Sequence, residues 1–134
     1  MKRSWMLVIM CSVAMLLTMT LESHAASARI RCRVRPNRLR IQVDGRNLDP
    51  GVYRAVVRNL DTGARVRTER GKEDEATVLD PNVDLDFDNT AGANDFDSFV
   101  ALDFAEGGDR LRAVVIDVDS NLIVSRATTQ CVAN

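Results

Sequence analysis

The side chains in this sequence best suited to chemistry are carboxylates. The segment DLDFDNTAGAND places Asp84, Asp86, Asp88 and Asp95 at positions one, three, five and twelve of a calcium-loop spacing, with Asp97 two residues further on. Calcium takes roughly six to eight oxygen ligands at about 2.4 Å, and clustered carboxylates supply them. Against this, Asn89 stands where a helix-flanked loop needs glycine, Asp95 stands where glutamate is usual, and no helical pattern flanks the segment. In an extended chain, alternate aspartates lie about 6.7 Å apart, too far for three to share one ion. A calcium site would therefore need Asp88 at a strand end, with Asp95 and Asp97 folded back by the loop through Gly92; otherwise these aspartates line a solvated strand face. Asp117 to Asn121, DVDSN, begins like a second acidic loop but has no distal acid, and reads as a hairpin turn.

The second set is cationic. Arg29, Arg31, Arg33, Arg35, Arg38 and Arg40 fall on alternate positions, with one parity change at Pro36-Asn37. Residues 29–72 carry 13 basic and 4 acidic side chains, a net of +9, whereas residues 73–134 carry 3 basic and 14 acidic, a net of −11. Two arrangements would account for this polarity. In one, the arginines pair across strands with Asp84, Asp86 and Asp88, or with Asp117 and Asp119, each opposite-charge pair contributing about 0.2 to 1 kcal/mol. In the other, Arg31, Arg33, Arg35, Arg38 and Arg40 stay uncovered and attract an anionic partner such as a polysaccharide, a phosphate-rich surface or nucleic acid. Nucleic acid is the weakest of these partners, because no aromatics interleave the arginines for base stacking and the chain beyond residue 28 carries a small net negative charge.

Catalysis finds little support in the residue types. The only histidine, His24, and the only tryptophan, Trp5, lie in the first 28 residues, which have the three-part layout of a secretory signal: Lys2 and Arg3, an apolar run from Trp5 to Leu21, then small residues in ESHAASA. Cleavage fits after Ala25 or after Ala28; an uncleaved membrane anchor is the alternative. Export to the periplasm or beyond the cell would leave residues 29–134 as one domain with a single modest core and no membrane span. In that oxidising setting Cys32 and Cys131 read as a disulfide. What remains has one lysine, Lys72, and serines in no nucleophile context, so the chain is expected not to be an enzyme.

Along residues 29–134 period-two alternation dominates and helical spacing is hard to find, which predicts an all-β domain. Strands are expected near 29–35, 38–43, 52–59, 64–69, 83–88, 99–104, 110–118 and 122–131: about eight short strands in an antiparallel sandwich of two sheets. A two-residue turn at Pro36-Asn37 would align Val34 with Leu39 and Cys32 with Ile41. Tight hairpin turns, however, favour a positive φ that proline cannot adopt, so the first strand could instead bend there and change sheets.

The stretch LDPGVYRAVVRNLDTG, residues 48–63, resembles the segment of fibronectin type III and related immunoglobulin-like modules in which Leu-x-Pro-Gly precedes a tyrosine-bearing strand. The resemblance implies that Leu48, Pro50 and Gly51 shape a corner and that Tyr53 bonds back to the backbone. It covers about 16 residues and comes earlier in the chain than in a type III module. The resulting expectation is a secreted or periplasmic, non-catalytic immunoglobulin-like interaction module. Its loops 70–75 and 89–98 would meet an unidentified protein or glycan. A calcium-stabilised structural domain using residues 84–97 is one alternative. A carbohydrate-binding module is another, with Phe96 and Phe99 the only candidates for a stacking platform and core filling their more ordinary role.

Overall fold

Alternation in residues 27–46 becomes a long hairpin in the computed structural model, which describes residues 25–134. The charged start and the apolar run of the signal-like segment lie outside the described residues. Strand β1 (Ser27–Arg35) pairs antiparallel with β2 (Arg38–Arg46), aligning Val34 with Leu39 and Cys32 with Ile41. The chain does not change sheets at Pro36. The tight turn is made with neither Pro36 nor Asn37 at positive φ, so proline's fixed φ is no obstacle.

The next strand, β3 (Gly51–Asn59), opens a second sheet and turns through Gly63, at φ 80°, into β4 (Arg65–Arg67). Then follow β5 (Asp74–Ala76), β6 (Val83–Asp84), β7 (Phe87–Asp88), β8 (Ser98–Phe99), a 3₁₀ helix (Leu102–Phe104), β9 (Arg110–Asp117), β10 (Ile123–Gln130) and β11 (Val132–Ala133). One sheet runs β11-β1-β2-β7-β8, with β6 also on β2; the other runs β10-β9-β3-β4, with β5 also on β3. Most pairs are antiparallel, but β1 with β11 and β7 with β8 are parallel, a departure from the fully antiparallel expectation. Among the described residues no helix is long and apolar enough to cross a membrane.

Three predicted strands are broken or cut short, and side chains explain two of these departures. Between β6 and β7, the Asp86 carboxylate takes the place of a ladder carbonyl by accepting from Val43 N at 3.1 Å, while Leu85 N donates to Val43 O. Between β4 and β5, Thr68 Oγ1 accepts from Ala55 N at 2.8 Å. Residues 70–75 are thus only partly loop, since Asp74–Ala76 pairs with β3. The third, residues 99–104, becomes the end of β8 followed by the 3₁₀ turn that buries Phe104.

Between the sheets, Ile30, Cys32, Leu39, Ile41, Val43, Val83, Leu85 and Phe87 face Tyr53, Ala55, Val57, Leu111, Ala113 and Val115. Of the four phenylalanines only Phe87 and Phe104 are buried. Cys32 and Cys131 are disulfide-bonded across the seam where the chain leaves the second sheet for the first. At the β2–β3 corner, Tyr53 OH donates to the carbonyl of Asp49 at 2.7 Å, Pro50 is exposed and Gly51 begins β3. Burial raises the Tyr53 phenol above its usual value, and the nearby Asp117 and Asp49 add to the effect.

Candidate anion-binding face

Because side-chain direction alternates along each strand, the apolar residues of β1 and β2 turn inward and their arginines turn out together. The register sets Arg33 directly opposite Arg40 and Arg35 directly opposite Arg38. Like charges on facing positions are destabilising, by about the amount that an opposite pair stabilises. These four arginines and Gln42 line a depression of about 380 Å³.

Acidic neighbours reach only half of it. The β2 arginines lie beside the aspartate-bearing segment: Arg38 donates to Asp88 Oδ2 from Nε at 3.1 Å and from Nη2 at 2.7 Å. Arg40 is held loosely, with Nη2 3.5 Å from Asp86 and 3.9 Å from Asp97, and its buried Nε has no hydrogen-bond partner among the described residues. On β1, Arg31, Arg33 and Arg35 join no ion pair among the described residues. Strand order is the cause: β2 separates β1 from β7, so the acids meet β2 first.

The aspartates of the 84–97 segment do not all share one site: Asp88, Asp95 and Asp97 line a depression beside Arg38, whereas Asp84 and Asp86 are not part of it. Asp84 lies opposite Asp44 in the ladder, and its backbone N donates to Asp74 Oδ2. Its carboxyl is raised by burial first and by its hydrogen bond with Asp44 next. Asp86 is occupied by Val43 N and Arg40, and Asp95 Oδ2 accepts from Gly92 N at 2.6 Å. Asp88, although burial alone would raise it, is held below the usual carboxylate value by Arg38 and by Thr90, whose N and Oγ1 both donate to Oδ1. Among the described residues no group of three or more His, Cys, Asp or Glu side chains is placed to hold a metal ion.

The loop between β7 and β8 is braced from beneath by Lys72, whose Nζ donates to Gly92 O at 2.8 Å and Asp97 O at 2.7 Å and lies 3.4 Å from Glu69. Glu69 in turn accepts from Phe99 N, and Ser98 Oγ accepts from Glu69 N. Sequence spacing gave no sign of this clamp, since Lys72 reads as one more charge in a polar run. The braced loop holds Phe96 99 % exposed, and Phe99 on the neighbouring edge strand is 50 % exposed. Both therefore depart from the core-filling role. By register a row crosses the sheet from Val132 through Arg33, Arg40 and Asp88 to Phe99.

Burial pushes the Asp86 carboxyl up to about 6, with Asp97 and Asp44 adding to the rise while Val43 N and Arg40 oppose it. Below its ordinary value of 3.8 the group is neutral in both states. Between that value and about 6 the folded protein keeps a proton that the unfolded chain has lost, so this contribution to stability falls as pH rises through the window. Asp86→Asn keeps an acceptor for Val43 N without the charge. It is expected to match the wild type near pH 4 and to be more stable at pH 7 by up to about 3 kcal/mol, less whatever solvent screening removes. Thermal melts of both proteins across this range check it; a difference that does not change with pH contradicts it.

Comparison with protein-family models, with curated proteins and with solved structures finds no match for this chain.

Proposed function

We propose that this chain is an exported, non-catalytic, immunoglobulin-like binding module whose working surface is the arginine face of β1 and β2, and that its ligand is anionic. The observation that carries the proposal is the direct register of Arg33 with Arg40 and of Arg35 with Arg38, in a depression where the β1 arginines have no acidic partner among the described residues. An arrangement that costs stability in the free protein becomes favourable once an anion lies between the guanidinium groups, each of which offers a planar fork of donors. The signal-like start and the disulfide support export. The residue inventory supports a non-catalytic role: residues 29–134 contain no histidine, and their single lysine is engaged beneath the 89–97 loop.

The test is retention on an immobilised sulfated polysaccharide, heparin, under a salt gradient. Arg33→Gln/Arg35→Gln removes two charges that hold no ion pair in the described protein. The variant is expected to bind about tenfold more weakly or worse. Its melting temperature should be unchanged or slightly higher, because repulsion with Arg40 and Arg38 is relieved. Identical elution of variant and wild type would rule the arginine face out as the binding surface.

A further inference from the structure

The arginine depression does not end at Arg38. A second depression, of about 290 Å³, shares Arg38 as a wall and continues along the sheet to Thr90, Asp95, Phe96 and Asp97. Resting on the anion-binding reading above, we infer that the ligand is a polysaccharide in which anionic and neutral sugars alternate, the anionic sugar lying among the arginines and the neutral one against Phe96.

The two depressions differ in a way that selects charge. The first is cationic throughout, apart from Gln42. The second is lined by Asp88, which Arg38 already holds, and by Asp95 and Asp97, so a second anionic group placed there would meet carboxylates at close quarters. Repulsion of that kind discriminates between ligands as effectively as attraction does. A neutral sugar meets no such penalty, because its hydroxyl groups donate to carboxylates. Asp95 uses one oxygen on Gly92 N and Asp97 makes only a distant contact with Arg40, which leaves lone pairs on both free to accept.

Phe96 supplies the remaining feature. A fully exposed phenylalanine contributes nothing to the core, and its ring face suits the C–H face of a pyranose. Its loop is already braced by Lys72 to the backbone of Gly92 and Asp97, so little ordering is lost on binding. An apolar protein surface seated on Phe96 would leave Asp97 and the second oxygen of Asp95 without donors, whereas a sugar satisfies both. Phe99, half exposed at the end of the cross-strand row, offers a further apolar surface in the same direction.

Titration calorimetry with three length-matched oligosaccharides tests the inference. They are hyaluronan fragments, in which uronate alternates with a neutral amino sugar; oligogalacturonate, charged on every ring; and neutral dextran. The hyaluronan fragments are expected to bind about tenfold or more tightly than oligogalacturonate, with dextran not bound. Phe96→Ala, which touches no core residue, should weaken hyaluronan by about tenfold and leave oligogalacturonate unchanged. Arg33→Gln/Arg35→Gln should weaken both. Equal or tighter binding of oligogalacturonate, or indifference of hyaluronan to Phe96→Ala, overturns the alternating-sugar inference and leaves the arginine face standing. Absence of binding to any anionic oligosaccharide overturns both; a salt-sensitive doubling of mass by light scattering would then assign the adjoining cationic and acidic surfaces to a second copy of the chain.

Discussion

Replacing Cys32 and Cys131 together with alanine is expected to lower the unfolding free energy by about 4 to 5 kcal/mol. The bridge spans 99 residues of sequence, so it removes much of the conformational freedom of the unfolded chain. It also acts where the fold is otherwise weakly joined. Beyond Cys131 the chain is held to β1 by β11, two residues long and paired at Arg33↔Val132 and Val34↔Ala133, and by the hydrogen bond from Asn134 N to Val34 O. The core that must compensate contains three buried aromatics, Tyr53, Phe87 and Phe104. A domain of this size has a total stability of about 5 to 15 kcal/mol, so the variant should melt on the order of 20 °C lower. Denaturant unfolding of the oxidised protein and the alanine variant gives the comparison directly, and the variant's m-value should rise because its unfolded state exposes more surface. A loss below about 1 kcal/mol would mean that the two sheets hold their seam without the bridge.

The next largest effect is expected at Asn59, which sequence inspection passes over as the polar end of a strand. Its side chain is fully buried and uses its hydrogen-bonding capacity in four directions. Nδ2 donates to Phe104 O at 3.0 Å and Asp109 Oδ2 at 2.9 Å; Oδ1 accepts from Asp61 N at 2.9 Å and Thr62 N at 3.2 Å. One amide thus joins the end of β3, the turn into β4, the 3₁₀ segment and the approach to β9. Arg110 ties the same turn to β9 through Asp61, and its backbone N–H first, then its guanidinium, holds the Asp61 carboxyl below the usual value. Asn59→Ala is expected to cost about 3 kcal/mol, because partners inside the fold lose their bonds without gaining water in return. Asn59→Asp keeps the acceptor for Asp61 N and Thr62 N but turns a second oxygen toward Phe104 O and Asp109, so it should not restore stability at neutral pH. Thermal and denaturant unfolding of both variants checks this; wild-type stability in Asn59→Asp would remove the amide donor from the account.

Legibility differed from residue to residue for physical reasons. The period-two pattern placed Ile30, Cys32, Leu39, Ile41 and Val43 inside and their neighbours outside, because a strand's side chains alternate whatever its partner is. The Cys32–Cys131 bridge was legible too, as two cysteines at opposite ends of a small domain with a signal-like start. Phe96 and Phe99 were not, since neither a lone phenylalanine between aspartates, as Phe96 is, nor one opening a short apolar run, as Phe99 does, shows in sequence whether it packs or stands in solvent.

By itself, then, the sequence determined the all-β class, the inward and outward faces of the long strands, and the pairing of Cys32 with Cys131; the first two follow from local geometry, the third from two cysteines at opposite ends of a small domain. Tertiary structure alone decided which arginines found acids. The aspartate segment came to lie against β2 and not β1, leaving Arg31, Arg33 and Arg35 without ion pairs among the described residues and spending Asp86 and Asp88 on the ladder and on Arg38. Strand order is a non-local choice between surfaces that look alike in sequence, because alternation specifies a face but not the neighbour that lies beside it.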